Sequence, residues 1–128
     1  MKNAKRHKRI LYVEASDLVH EVHGAGLEKL NCAVIPVASA EAAFEELSFG
    51  ERFDLIIVGD ISKPIDDDFL QIQMSVITKA RSVDPGVPIL IFSSVNYINA
   101  AREAGANGQL GKPADLIDFI GFVTPYLI

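Results

Sequence analysis

Side chains capable of chemistry follow four of the apolar runs in this sequence. Glu14 comes directly after ILYV, Asp60 lies just after DLIIV, Ser93 follows PILIF, and Lys112 follows QLG. An ionised carboxylate buried without partners is costly, so Asp60 is expected at the mouth of a strand and not inside the core. Two acids, a hydroxyl and a lysine together favour anion chemistry, in which lysine and hydroxyl face an oxyanion and an acid serves as nucleophile or metal ligand.

The elements that must position these residues are short strands alternating with longer amphipathic segments. Continuous apolar runs predict strands buried on both faces, and therefore a parallel sheet covered by helices. The predicted strands are residues 10–13, 33–37, 54–58, 88–92 and 109–111. The predicted helices are residues 16–30, 40–48, about 66–82, 96–105 and 114–124.

The predicted fold class is α/β, a three-layer αβα sandwich. Right-handed crossovers and one switch point give a five-stranded parallel sheet in the flavodoxin-like order 2-1-3-4-5. Ligands of open parallel sheets bind beyond the carboxyl ends of the strands. We therefore expect one domain, residues 9–128, in which the four polar side chains lie together at the carboxyl ends of the strands.

The charge of the chain is unevenly distributed. The first ten positions hold five basic residues and no acid, so the remainder carries 7 basic and 17 acidic residues. An acidic body argues against nucleic-acid binding. Residues 1–8 are interpreted as a solvated basic arm that leads into the first strand, with contact to nucleic acid or an anionic surface as the alternative.

The cysteine content and the apolar runs indicate a cytoplasmic protein. Cys32 is the only cysteine of the 128 residues, which excludes an internal disulfide and suits a reducing compartment. The apolar segment 10–13 is too short for a signal peptide, and no run approaches transmembrane length. No membrane partner is expected.

Several segments resemble the receiver domain of two-component response regulators, and the resemblance covers residues 9–128. DLIIVGDISKP resembles the segment in which the phosphorylated aspartate precedes a proline by four residues, which identifies Asp60. PILIFSS resembles the fourth strand with its switch Ser or Thr at Ser93. AGANGQLGKP resembles the fifth strand, with a lysine at Lys112 before Pro113, a bond that is often cis in that family.

The sequence departs from that family at informative positions. Ala15 stands where receivers usually carry a second acid that binds the divalent metal directly, and Gln109 stands at the position of the aromatic switch residue. A one-residue ambiguity leaves an alternative register with Gly59 at the acceptor position, but Pro64 favours Asp60. Losing a metal ligand should lower metal affinity by at least roughly 10–100-fold.

The resemblance implies a signalling protein and not an enzyme. A partner histidine kinase or phosphotransfer protein would phosphorylate Asp60, and a downstream protein would receive the signal. Mg²⁺ would be held, weakly, by Glu14 and Asp60. Lys112 and Ser93 would contact the phosphoryl group, and Ser93 and Gln109 would be the switch positions.

Two other functions remain open. The first is a degenerate pseudo-receiver, a protein-interaction module that works without phosphorylation, and Ala15 is the residue that distinguishes it from a working receiver. The second is an α/β enzyme that uses the same mouth for another anion, which only fold analogy supports.

The last predicted helix carries a candidate partner or homodimer surface. At about 100° per residue, four aliphatic residues share a stripe predicted to face the sheet: Leu116, Ile120, Val123 and Leu127. Phe119, Phe122 and Tyr126 lie about a quarter-turn away, toward solvent, unless neighbouring side chains cover them. In the resembling family this face is the usual docking and dimer surface, and Gln109 predicts weaker coupling between it and Asp60.

Overall fold

Strands and helices alternate along the whole of the described chain. The structure is a computed structural model that describes residues 7–49, 51–61 and 68–128. Its strands are β1 (Lys8–Val13), β2 (Cys32–Val37), β3 (Leu55–Val58), β4 (Ile89–Ser93) and β5 (Gly108–Gly111). Its helices are α1 (Asp17–Glu28), α2 (Ala40–Ser48), α3 (Phe69–Val83), α4 (Ile98–Ala104) and α5 (Leu116–Val123), followed by a 3₁₀ helix at Thr124–Tyr126.

The five strands form one parallel sheet in the order β2-β1-β3-β4-β5. In its centre, Ile57 is aligned with Tyr12 of β1 on one side and with Leu90 of β4 on the other. The predicted α/β class and strand order 2-1-3-4-5 are therefore confirmed. Within the described ranges, no helix has the length and apolar character needed to cross a membrane.

The sheet separates two apolar clusters, because successive side chains of a strand point to opposite faces. On one face, Leu11, Ile56 and Ile91 pack against α2, α3 and α4. On the other face, Tyr12 and Phe92 pack against α1 and α5. Burial on both faces explains why the strands read as continuous apolar runs.

Side-chain caps determine where three helices begin. Ser16 accepts a hydrogen bond from the Val19 amide at 3.3 Å, and Ser39 accepts one from the Ala42 amide at 3.1 Å. Asp115 does the same at the start of α5. Such caps satisfy amides that have no partner within the helix, and each contributes about 1 kcal/mol. The cap at Ser16 starts α1 right behind the carboxyl end of β1.

Two predicted boundaries differ from the structure or fall outside it. Strand β1 begins at Lys8, because its backbone pairs with Cys32, so the last residue of the predicted arm belongs to the sheet. Residues 1–6 of that arm lie outside the described residues, as do Pro64 and the predicted start of the third helix at Asp66.

The predicted orientation of the last helix is correct in part. As predicted, Val123 is fully buried, and Ile120 and Leu127 pack against the same apolar cluster. The predicted positions of Phe119 and Leu116 are wrong. Phe119 is fully buried, so it is not part of a surface, whereas Ile117 is 81% exposed and Leu116 is 38% exposed. Phe122 and Tyr126 are partly buried against the same apolar cluster as Phe119. Six of the eight residues of α5 are apolar, and such a helix has no single apolar stripe from which its inward face can be predicted.

Candidate functional site

The carboxyl ends of four strands meet at one edge of the sheet. Glu14 follows β1, Asp60 lies two residues beyond β3, Ser93 is the last residue of β4, and Lys112 follows β5. Lys112 Nζ lies 2.8 Å from Glu14 Oε1 and 3.2 Å from Asp60 Oδ2. Ser93 Oγ donates a hydrogen bond to Asp60 Oδ1 at 2.5 Å. The structure thus places all four predicted residues in one cluster.

Both oxygens of the Asp60 carboxylate are engaged. Besides Ser93 on Oδ1 and Lys112 on Oδ2, the hydroxyl of Ser94 donates to Oδ2 at 3.1 Å. The residue is 4% exposed. Burial alone raises the pKa of Asp60, but the hydrogen bond from Ser93 and the charge of Lys112, together with Ser94, outweigh it and hold the pKa below its ordinary value. The carboxylate is therefore ionised near neutral pH.

Glu14 is fully buried, and both oxygens of its carboxylate have partners. Its Oε1 accepts hydrogen bonds from Lys112 Nζ and, at 3.1 Å, from the backbone amide of Asp60. Its Oε2 accepts one from the backbone amide of Ser16 at 3.0 Å. Glu14 therefore ties β1, β3 and the loop after β5 together, and its charge is balanced by Lys112.

Gly59 makes room for that arrangement. A Cβ atom at this position would collide with Oε1 of Glu14, so no side chain fits between β3 and the carboxylate. The Gly59 amide donates to the carbonyl of Val13 at 2.7 Å, which continues the β1–β3 pairing by one residue. Asp60, and not Gly59, is consequently the residue whose side chain reaches Lys112.

Backbone contacts and an aromatic ring hold Lys112 in place. Its amide donates to the carbonyl of Ser93 at 3.0 Å, and the Lys112–Pro113 peptide bond is cis. The ammonium lies 5.3 Å from the centre of the Phe92 ring, within range of a cation–π interaction. The lysine charge is thereby directed at the two carboxylates, and its side chain is only 17% exposed.

The donor set does not fit a magnesium ion. Magnesium requires near-octahedral oxygen coordination. Ala15 offers no side-chain oxygen, both oxygens of Glu14 already accept hydrogen bonds, and the ammonium of Lys112 lies between the two carboxylates. Among the residues that the structure describes, no group of three or more His, Cys, Asp or Glu side chains is arranged to hold a metal.

Gln109, the predicted switch position on β5, is bound to the segment between β4 and α4. Its Nε2 donates to the carbonyl of Val95 at 2.8 Å. Its Oε1 accepts from the amide of Tyr97 at 3.2 Å. The carboxamide thus bridges two backbone groups that an aromatic side chain at this position would leave without these partners.

Gln73 and Tyr97 were missed by the sequence analysis. The Gln73 side chain is fully buried, donates to the carbonyl of Gly59 at 2.6 Å and accepts from the amide of Ile61 at 2.8 Å. It also donates to the hydroxyl of Tyr97 at 2.7 Å. The burial of Gln73 could have been predicted from its spacing, because it lies four residues from Phe69 and therefore on the same, buried face of α3.

An aromatic cluster lies on the other side of the sheet, near Lys112. His23 is 7% exposed, its Nδ1 lies 3.1 Å from the Tyr12 hydroxyl, and its ring stacks on Phe119 with centroids 4.1 Å apart. Burial, and then the charge of Lys112, lower the pKa of His23, whereas Glu14 acts in the opposite direction. The imidazole is therefore neutral in the folded protein near neutral pH.

Many known structures with a similar fold are receiver domains of response regulators. A CheY-like response regulator receiver domain protein from Methanospirillum hungatei JF-1 shares 19% identity, with a TM-score of 0.81 over 95% of this chain and 94% of that one. The chemotaxis protein CheY4 of Vibrio cholerae shares 19%, with a TM-score of 0.80 over 94% and 99%. No protein-family model and no curated protein matches the sequence.

A third similar structure contains a metal. It is the receiver domain of a sensor histidine kinase from Pseudomonas aeruginosa PAO1, with magnesium coordinated in its active site cleft. It shares 21% identity, with a TM-score of 0.75 over 95% of this chain and 98% of that one. At these identities the similarity establishes the flavodoxin-like receiver fold, and the residues of the site have to support any function.

Proposed function

We propose that this chain is a receiver-like protein of phosphorelay signalling, in which Asp60 accepts a phosphoryl group, slowly, from a histidine kinase or phosphotransfer protein. The observation that carries this proposal is the contact of one buried, ionised carboxylate with both a hydroxyl and an ammonium. Ser93 Oγ lies 2.5 Å from Asp60 Oδ1 and Lys112 Nζ lies 3.2 Å from Oδ2. The receiver fold of the similar structures supports the same role.

The chemistry assigns one task to each side chain. An oxygen of Asp60 attacks the phosphorus of the donor, an acyl phosphate forms, and the bond to the donor breaks with its electron pair leaving on the donor. The ammonium of Lys112 neutralises charge on the phosphoryl oxygens. The hydroxyl of Ser93 moves its hydrogen bond from the carboxylate to one of those oxygens.

Transfer is expected to be slow for two structural reasons. The attacking oxygen must first lose a hydrogen bond from Ser93 or Ser94. A hydrogen bond to a charged group is worth about 1.5–3 kcal/mol, which corresponds to about tenfold or more in rate. In addition, the residues around Asp60 do not fit the magnesium ion that would neutralise further charge, so we propose at most weak binding of Mg²⁺.

A second candidate function is a phosphorylation-independent interaction module. The specific observation in its favour is the position of Lys112, whose ammonium already neutralises Glu14 and Asp60. In that case the cluster is an internal ion network that stabilises the fold. A downstream protein would then recognise the surface of the domain in its single, unmodified state.

The last helix retains a proposed role as a surface for that downstream partner or for a second copy of the chain. Phe119 is excluded by its burial. The proposed surface consists of the exposed Ile117 and Leu116. Phe122 and Tyr126, which are partly buried beside Gly108 of β5, are not part of it.

Intact-mass measurement after incubation with acetyl phosphate tests the first candidate. We expect slow appearance of one phosphoryl adduct in the wild type and in Asp84→Asn, a matched carboxylate variant at the far end of the sheet. The adduct should be missing in Asp60→Asn. An adduct that persists in Asp60→Asn contradicts the assignment, and no adduct in the wild type supports the interaction module.

A further inference from the structure

A chain of hydrogen bonds connects Asp60 to Gln109 through Ser93. Ser93 Oγ donates to Asp60 Oδ1 and accepts from the amide of Val95 at 3.0 Å. The carbonyl of Val95 in turn accepts from Gln109 Nε2 at 2.8 Å. This first route passes through the residue already predicted as the switch.

A second route connects the same two ends through helix α3. Gln73 holds the carbonyl of Gly59 and the amide of Ile61, the peptide groups on either side of the acceptor aspartate. Its remaining amide hydrogen is donated to the Tyr97 hydroxyl, and the Tyr97 amide donates to Gln109 Oε1. The two routes together form a closed ring of hydrogen bonds.

We propose that Gln73 and Tyr97 are positioning residues for Asp60 and carry changes at Asp60 to Gln109, independently of Ser93. The proposal rests on the proposed role of Asp60 as the functional carboxylate. It replaces the sequence-based expectation that Gln109 couples this face of the domain more weakly to the site.

Because the residues of the second route are buried, we expect Gln73 and Tyr97 to move together with the backbone around Asp60. Gln73 is 0% exposed and Tyr97 is 6% exposed, so water cannot replace a partner that is lost. A buried donor or acceptor left alone pays its full desolvation penalty. A displacement of the backbone around Asp60 is therefore followed by Gln73, and then by Tyr97, instead of breaking one contact.

The route ends at an open cavity on the protein surface. Gln109 lines a space of about 300 Å³ between β4, α4 and β5, together with Ser93, Ser94, Asn96, Ile98, Arg102 and Gly111. A change in the Gln109 carboxamide would alter the hydrogen-bonding groups in this cavity. A change at Asp60 would thereby alter the surface of the domain on its α4–β5 side.

NMR of the glutamine side-chain NH₂ groups tests this route. The sequence contains three glutamines, and Gln71 on the exposed side of α3 provides an internal reference. In a Ser93→Ala background, which cuts the first route, Asp60→Asn should still shift the Gln109 NH₂ signals. Adding Tyr97→Phe, which removes one hydroxyl, should reduce that shift by at least half and leave Gln71 unchanged.

Two further variants sharpen the result. Tyr12→Phe removes a buried hydroxyl on the opposite face of the sheet and should leave the Gln109 response intact. Gln73→Met, which keeps the length of the side chain without its amide, should reduce the response as Tyr97→Phe does. Equal Gln109 shifts with and without Tyr97→Phe or Gln73→Met would overturn the proposal.

The test does not depend on phosphorylation, because it uses Asp60→Asn as the perturbation. Failure of acetyl phosphate to label Asp60 would contradict the proposed acceptor chemistry and leave this coupling measurable. If acetyl phosphate labels Asp60 but Tyr97→Phe and Gln73→Met do not change the Gln109 response, only the inference about Gln73 and Tyr97 is contradicted.

Discussion

The ammonium of Lys112 lies 2.8 Å from Oε1 of Glu14, a residue 98 positions earlier in the chain. Glu14 is fully buried, and the same Glu14 oxygen also holds the backbone amide of Asp60. This pair connects the first strand to the end of the last one across the candidate site. Lys112 therefore contributes both to the stability of the domain, through Glu14, and to the chemistry of Asp60.

Replacing Lys112 with methionine should destabilise the fold. The variant keeps the aliphatic chain but leaves Glu14 buried without its counter-charge, a change that typically costs about 3–5 kcal/mol. Urea denaturation measures the free energy of unfolding. The matched control is Arg52→Met, which removes an 82% exposed partner of Asp84 and should cost less than about 1 kcal/mol. An equal decrease in the free energy of unfolding in the two variants would show that the buried Lys112–Glu14 pair stabilises the fold no more than the exposed Arg52–Asp84 pair does.

The stability of the protein should fall in mildly acidic solution because of His23. The pKa of His23 is lowered in the folded state, mainly by burial. As the pH falls below about 6.5 the unfolded chain takes up a proton that the folded protein does not, so stability decreases toward the lower folded pKa. One such group contributes a slope of at most about 1.4 kcal/mol per pH unit.

Urea denaturation at pH 7 and pH 5.5 checks this dependence. The difference between the two values should be smaller in His23→Phe, which cannot be protonated and keeps a ring beside Phe119. His7→Gln, a change at an exposed histidine, should behave as the wild type. An unchanged pH dependence in His23→Phe would exclude His23 as its source.

Introducing the missing acid should create metal binding. Ala15→Asp places a third carboxylate near Glu14 and Asp60, which lowers stability without metal through like-charge repulsion and raises affinity for Mg²⁺. At a Mg²⁺ concentration 100 times Kd, the stabilisation is about 2.7 kcal/mol. Melting curves with and without Mg²⁺ measure it, and Ala15→Asn is the neutral control. The same Mg²⁺-induced shift in wild type, Ala15→Asn and Ala15→Asp would refute the argument.

The surface of the last helix should respond to a change at Ile117. Because this side chain is 81% exposed, Ile117→Ser should leave the melting temperature nearly unchanged while lowering self-association or partner binding. Leu18→Ser, at a 68% exposed position of α1, is the control for a general loss of surface hydrophobicity. Sedimentation velocity of the three proteins decides the point: equal association of all three would contradict a role for Ile117.

The architecture could be predicted from the sequence because its determinants are local. Continuous apolar runs specify strands buried on both faces, and the chirality of the crossovers limits how such strands are ordered. Since parallel strands end at a common edge, the positions of Asp60, Ser93 and Lys112 after their runs were sufficient to predict that they meet. The predicted strand order is the observed one.

The orientation of individual side chains was decided only by the tertiary structure. In α5 nearly every residue is apolar, so packing against Tyr12 and His23, and not periodicity, directs Phe119 inward. Glu14 turns toward Lys112 because Gly59 leaves space for it and the cation follows a strand that is remote in sequence.

The ring of hydrogen bonds that contains Gln73 and Gln109 was likewise decided only by the tertiary structure. A glutamine can hydrogen-bond in many directions, and its partners here lie 12 to 24 residues away. Which donor meets which acceptor depends on how α3, β3 and β5 pack together, and no local pattern encodes those distances. Residue types and spacing determined where the site lies, whereas burial and long-range contacts determined which of its groups are free to react.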